Sequence, residues 1–268
     1  MKAVKSLYQY VNILSLDVVA GAVICSLFFA RIFNLMVSQY GLAALALTVW
    51  IIYTIDHLRD AKTIRKVAST DRHRFHQKYF RAILSVLLVV AAIDFTLIWF
   101  VPTMILKLGI GLWIVVLIYL MFQRRLKFLK VFVIACLYTA GILLPAYSVA
   151  GSVQFIHIIL IGKFFITALM NLLLFSLFDY AEDRSHEQHS FVTWFGRDST
   201  RHGILFLGLL NIASGIWLWP SHADIAAIFM SMSLMLLSIL LLQKVFTPNN
   251  YYRIAGDAVF FIPVFYLL

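Results

Sequence analysis

Runs of about twenty residues with almost no charge recur along the chain, and that is the length an α-helix needs to cross the hydrocarbon core of a bilayer. The sequence has 268 residues, of which 63% are hydrophobic and only 13% charged, far more apolar than a soluble domain of this size. A transmembrane barrel would show short alternating segments instead. The first apolar run is too long, and too polar at its edges, for a cleavable signal peptide. No A-x-A-like site follows it, so it is read as the first span. The expected class is an all-α polytopic membrane protein.

Nine spans are predicted, at roughly 10–37, 40–58, 81–101, 103–122, 130–151, 155–178, 203–220, 223–243 and 251–268, with Gly, Pro and Asn at several of the joins. The joins after spans two, four, six and eight hold most of the Lys and Arg, and the others are short and nearly uncharged. That bias places the basic joins and the N-terminus, with Lys2 and Lys5, in the cytoplasm. An odd number of spans then sends the C-terminus to the opposite side, which suits a multi-pass protein of the cell inner membrane. The net charge of +10 thus reflects topology, and no nucleic-acid partner is expected. Cys25 and Cys136 fall inside apolar spans, which argues against a disulfide framework or a cysteine zinc site. No linker or low-complexity segment divides the chain, so residues 1–268 are read as a single domain, with no obligate protein partner evident.

Two acidic pairs stand out. At the basic end of span two, "YTIDHLRDAK" carries Asp56 and Asp60 four residues apart, so a helix projects both carboxylates from one face. At the basic end of span six, "FDYAEDRS" repeats the spacing with Asp179 and Asp183, and Glu182 lies beside them. Mg²⁺ takes one or two carboxylates from protein and completes its octahedron with water and phosphate oxygens. Two such faces across a cavity would hold Mg²⁺ against a diphosphate, with nearby Arg and Lys on the remaining phosphate charge. The hydrophobic tail of the substrate would lie between helices, among membrane lipids. Interfacial acids at helix ends are common, so a single pair would carry little weight; two in corresponding places carry more.

These motifs resemble those of the UbiA superfamily of intramembrane prenyltransferases. That family has N-D-x-x-D-x-x-x-D after its second helix, D-x-x-x-D after its sixth, and then a segment of the type K-S-x-x-x-x-F-G. Asp179 and Asp183 match the second motif, and "HSFVTWFG" matches the flank with His189 at the Lys position. Asp56 and Asp60 match the last two acids of the first motif, while Ile52 and Tyr53 stand at its Asn-Asp positions. "DRHRFH" (Asp71 to His76) lies near the family's N-R-P-L segment, and "YLMFQRRLKFLK" is similar to its Y-x-x-x-K region, with Gln123 at the Lys position.

The resemblance implies nine helices around a lipid-open cavity and transfer of a polyprenyl group from its diphosphate to an acceptor, commonly aromatic. It implies Mg²⁺ as cofactor, held by Asp56, Asp60, Asp179 and Asp183, with Glu182 a further candidate. Arg72, Arg124, Arg125 and Lys127 become the expected diphosphate contacts. The missing Asn-Asp pair leaves one metal position open. Membrane terpene cyclases of the same family ionise the same substrate without an acceptor and are the alternative.

Two rivals from other classes have some basis. "HRFH" and "HEQH" both have H-x-x-H spacing, as in a histidine-box di-iron oxygenase, but the paired H-H steps of such boxes are missing. Asp17, Arg31, Asp94, Lys107, Lys163 and Asp257 lie within spans, as an ion path in a transporter would need, yet no pair of broken helices is legible. Arg31, Lys107 and Lys163 are also placed to snorkel toward an interface. The 23 Phe would shield an allylic cation, or simply face lipid.

Overall fold

A computed structural model describes residues 9–63, 71–123, 125–149, 154–185 and 190–268, excepting the side chains of Thr63, Asp71, Glu182, Asp183 and Ser185. Every described element is helical. The longer ones are α1 Leu16–Ile32, α2 Gln39–Thr63, a short α3 Asp71–Lys78, α4 Phe80–Leu97, α5 Thr103–Phe122, α6 Lys130–Tyr147 and α7 Phe155–Phe178. Short α8 Tyr180–Ser185 and α9 Phe191–Phe195 lead into α10 Arg197–Leu218 and α11 Ala223–Leu241. The chain closes with α12 Gln243–Phe246, α13 Tyr251–Ala258, a 3₁₀ turn at Val259–Phe261, and α14 Val264–Leu267.

Seven helices are long and apolar enough to cross a membrane: α2, α4, α5, α6 with the 3₁₀ turn that precedes it, α7, α10 and α11. The two remaining predicted spans are interrupted. In the first, Ser15 takes a left-handed conformation (φ 56°), which separates a helical stretch at 9–13 from α1. In the last, the 3₁₀ turn and Pro263 divide α13 from α14. A pair of broken segments therefore exists where the sequence showed none, and the two pack on each other. Gly21 makes that approach possible, since a Cβ there would stand 3.0 Å from Phe260 Cβ.

Helices α7 and α11 form the centre of the bundle, each with about half of its span buried, whereas α4 and α5 have 11% of theirs buried and lie at the periphery. Buried aromatic rings of Phe28, Phe29, Phe164 and Phe229 interlock edge to face between these central elements. Such contacts add specificity to dispersion, which must drive helix association where lipid removes the hydrophobic effect.

Polar ties fix the helix pairs as well. Lys163 on α7 does not snorkel: it is buried, and its Nζ donates to Asn211 O (2.6 Å) and Ser214 Oγ (2.7 Å) on α10. Asn211 Nδ2 returns a bond to Thr167 Oγ1 at 3.0 Å. Arg31 is exposed and reaches Leu267 O at 2.5 Å, binding α1 to the last turn of the chain. Lys107 is exposed.

Candidate active site

Helix α2 has 25 residues and so a length of about 37 Å, more than the about 30 Å of a hydrocarbon core. Its surplus turns carry Asp56 and Asp60 at the basic end of the bundle. A cavity of about 840 Å³ opens beside them and runs inward between α2, α4, α5, α6 and α7. Its inner wall is apolar, with Trp113, Tyr138, Phe175, Phe191 and Phe260 among the lining side chains. Its charged residues concentrate at the basic end, with Asp56, Arg72, Lys127, Lys130, Arg253 and Asp257; the exception is Asp94, near the far end of α4, which accepts from Thr48 Oγ1 at 2.9 Å.

Each expected residue finds a different place. Asp56 lines the cavity, and its carboxylate makes no hydrogen bond or ion pair with a described residue. Asp60, one turn further out, lies 3.9 Å from His73 Nε2. Arg72 on α3 reaches back into the cavity, where its Nη2 donates to Asn12 O (3.1 Å) and Asn12 Oδ1 (3.0 Å). Lys127 lines the cavity with its Nζ 5.0 Å from the centroid of the Trp194 ring. Arg125 is exposed and stacks over Phe122, so it is not part of the cavity wall. Arg124 lies outside the described residues, as do His186 and His189; Glu182 and Asp183 fall on α8, and their side chains are outside the described ones.

Asp179 caps the end of α7 and is already engaged: Tyr252 donates its hydroxyl to Oδ1, and Arg253 Nη2 lies 2.5 Å from Oδ2. Both partners belong to α13, an element the motif reading did not use. The Arg253 guanidinium also lies over the Phe175 ring and lines the cavity. Its sequence signal was a lone Arg at the mouth of the last apolar segment. Helix α13 can sit this close to α7 because residue 256 is glycine. A Cβ there would stand 2.5 Å from Asn171 Oδ1 and 2.6 Å from Phe175 Cε1.

Burial pushes the Arg72 guanidinium below its usual range, and the positive charge of Arg253 acts in the same direction, while Asp257 and Asp17 oppose it. Two guanidiniums thus face one cavity end, Arg253 paired with Asp179 and Arg72 bonded to the neutral Asn12, and a polyanion between them would engage both. The acids nearby share Asn12: its Nδ2 donates to Asp17 Oδ2 at 2.6 Å and lies 3.5 Å from Asp257 Oδ2.

The segment after α8 is built as a turn. Ser190 begins α9 with its backbone N–H donated to Thr193 Oγ1 at 2.8 Å. Gly196 joins α9 to α10 at φ +84°, a conformation that L side chains rarely adopt, which gives the Gly of "HSFVTWFG" its physical reason. Val192 of this segment is fully buried.

The histidines cluster without forming a metal box among the described residues. His57 accepts from or donates to Ser15 Oγ at 3.1 Å, its ring meets that of His76 at 5.1 Å, and His76 Nδ1 bonds Arg72 O at 2.9 Å. No group of three or more His, Cys, Asp or Glu among the described residues is arranged to hold a metal ion.

No protein-family model and no curated protein matches the chain. A solved structure does: the UbiA homologue from Archaeoglobus fulgidus bound to DMAPP and Mg²⁺. It is 14% identical, aligns over 95% of this chain and 98% of its own, and superposes with a TM-score of 0.62. The class defined here is a helical membrane protein with the UbiA fold.

Proposed function

We propose that the chain is a UbiA-type, Mg²⁺-dependent intramembrane enzyme that ionises a prenyl diphosphate and transfers the prenyl group to an acceptor. The observation that carries this reading is the division of the cavity: the cationic groups and most carboxylates at the end where α2, α3 and α13 meet, and beyond it a mainly apolar, aromatic interior in which Asp94 is bonded by Thr48. A diphosphate with an isoprenoid tail has the same division. The shared fold with a homologue bound to DMAPP and Mg²⁺ supports it.

Asp56 suits the cofactor, since a hard carboxylate without a partner among the described residues, lining one cavity with Arg72 and Lys127, is what Mg²⁺ with a diphosphate requires. Asp60, Asp179 and Asp183, with Glu182, are the further carboxylates we assign to it. Neutralising the charge of the departing diphosphate is the chemistry Mg²⁺ supplies when bound. Arg72, Arg253 and Lys127 hold the phosphate oxygens, and Arg124, assigned from the sequence alone, is a further contact, while the apolar wall keeps water from the allylic carbon. Residues 1–268 act as one domain in the inner membrane, with the basic end in the cytoplasm, as the Lys and Arg distribution favours.

Cyclisation of the same substrate is the second reading, supported by aromatic faces of Trp113, Tyr138, Phe175 and Phe260 on the cavity wall. The test is incubation of the purified protein with dimethylallyl, geranyl, farnesyl and geranylgeranyl diphosphates, with Mg²⁺ or with chelator. Metal-dependent diphosphate release is expected with at least one of them. No binding of any, or iron in the purified protein, refutes the reading; a cyclic hydrocarbon as sole product replaces transfer by cyclisation.

A further inference from the structure

The first span is broken at a serine, a residue without glycine's conformational freedom. Ser15 takes a left-handed conformation, φ 56° and ψ 26°, which its side chain makes unfavourable. It is 1% exposed, and its Oγ lies 3.1 Å from Nε2 of His57 on α2, which is itself buried. The Ser15 N–H donates to Asn12 O at 3.1 Å and closes a turn around Asn12. A strained residue held in place by a buried partner marks a turn that the fold keeps for a reason.

That turn presents Asn12 to Arg72. Arg72 Nη2 donates to Asn12 O at 3.1 Å and to Asn12 Oδ1 at 3.0 Å, and among the described residues no other hydrogen bond engages the guanidinium. The other side of the amide is tied to acids: Nδ2 donates to Asp17 Oδ2 at 2.6 Å and lies 3.5 Å from Asp257 Oδ2. Those acids set which way the amide points, with its oxygen toward the guanidinium. The backbone of Arg72 is held as well, since its carbonyl pairs with His76 Nδ1 at 2.9 Å. Arg72 lines the cavity, whereas Asn12 and Asp17 stand behind the wall.

The chemistry of the holder matters. A carboxylate in the place of the Asn12 amide would cancel the charge that it orients. The neutral amide takes only Nη2 and leaves the positive charge, with Nη1 and Nε, to an anion in the cavity. Arg253 shows the contrast, because Asp179 already takes part of its charge.

We propose that Asn12 is a positioning residue of the diphosphate site: Asp17 fixes the amide, the amide orients the Arg72 guanidinium, and the break at Ser15 brings the three together. This rests on the prenyl diphosphate reading above, and it adds residues that act on the phosphates without touching them.

The test measures binding of farnesyl thiolodiphosphate and of inorganic pyrophosphate to the full-length protein with Mg²⁺, by calorimetry in detergent. Arg72→Met should weaken both about tenfold, the scale of a lost charge-assisted bond. Asn12→Leu should weaken both about fivefold, and beside Arg72→Met it should change nothing further. A merely structural role would add its effect to that of Arg72→Met. Asp17→Ala should also weaken both about fivefold, whereas Asp17→Asn, which keeps an acceptor for Asn12 Nδ2, should match the wild type. The inference is overturned if Asn12→Leu binds both probes like wild type, if its effect persists in full beside Arg72→Met, or if it weakens the thiolodiphosphate alone. Should Asn12→Leu not fold, the two Asp17 variants decide, and equal affinities in them overturn it. Failure of the wild type to bind thiolodiphosphate refutes the diphosphate reading itself.

Discussion

Arg253 Nη2 stands 2.5 Å from Asp179 Oδ2, so the acid that best matches a metal motif is paired with a cation of the last helical segment. The Tyr252 hydroxyl donates to the other oxygen of the same carboxylate. Helices α7 and α13 are thereby joined at the mouth of the cavity, and Arg253 presents its remaining face to the cavity itself.

Removing one member of this pair should separate its roles. Arg253→Ala loses a charge-assisted bond worth about 2 kcal/mol and leaves Asp179 with Tyr252 alone. A lowered unfolding midpoint and at least tenfold weaker binding of a prenyl thiolodiphosphate are expected. Asp179→Ala or Asp183→Ala should abolish turnover while the protein still inserts. Full activity in both would remove those residues from the metal site.

Ligand and metal should stabilise the protein together. Mg²⁺ plus a prenyl thiolodiphosphate at a hundred times its Kd contributes about 2.7 kcal/mol, and either alone contributes much less. In Asp56→Asn the increment due to Mg²⁺ should vanish, because that carboxylate lines the cavity without another partner among the described residues. A thermal-shift titration in detergent or nanodiscs reads this directly, and an unchanged increment would contradict the assignment.

Gly256→Val should destabilise the junction of α7 and α13. The new side chain meets Asn171 Oδ1 and the Phe175 ring, where a Cβ alone is already at 2.5 and 2.6 Å. Overpacking of this kind costs about 1–3 kcal/mol, visible as a fall in Tm. Unaltered stability would show that α13 does not sit this close.

The acid limb of stability should depend on His76. Burial holds this imidazole below its ordinary value of 6.5, its bond to the Arg72 carbonyl works against that, and the nearby Arg72 charge lowers it further. The unfolded state therefore takes up a proton at a higher pH than the folded state does. Its contribution is present above 6.5 and is lost as pH falls below that toward the depressed folded value. His76→Gln should flatten the stability profile below pH 6.5, and an identical profile would exclude His76 as the cause.

Lys163→Leu should lower the unfolding midpoint as well. It removes both bonds from the ammonium to α10, leaving Asn211 O with the Ser214 hydroxyl as its side-chain donor and Ser214 Oγ without the ammonium, at a cost of about 1–3 kcal/mol. The snorkelling expected from sequence would instead have left stability unchanged, so the measurement decides between the two placements.

Much of this molecule was legible in its residues. Uniform apolar runs require helices, because lipid offers backbone groups no other partner, and so the helical class and most spans followed from sequence. The D-x-x-x-D spacing put Asp56 beside Asp60 on one face through helical periodicity alone. The interruptions at Ser15 and at Val259–Phe261 were hidden, since composition continues smoothly through both while the backbone does not. Periodicity could not show either that Arg253 meets Asp179 across 74 residues, or that Asn171, Tyr138, Tyr53 and Asp257 surround one cavity. Local chemistry fixes what each segment becomes. Which charges meet is decided by the close approach of α13 to α7, which a single glycine permits and only packing reveals.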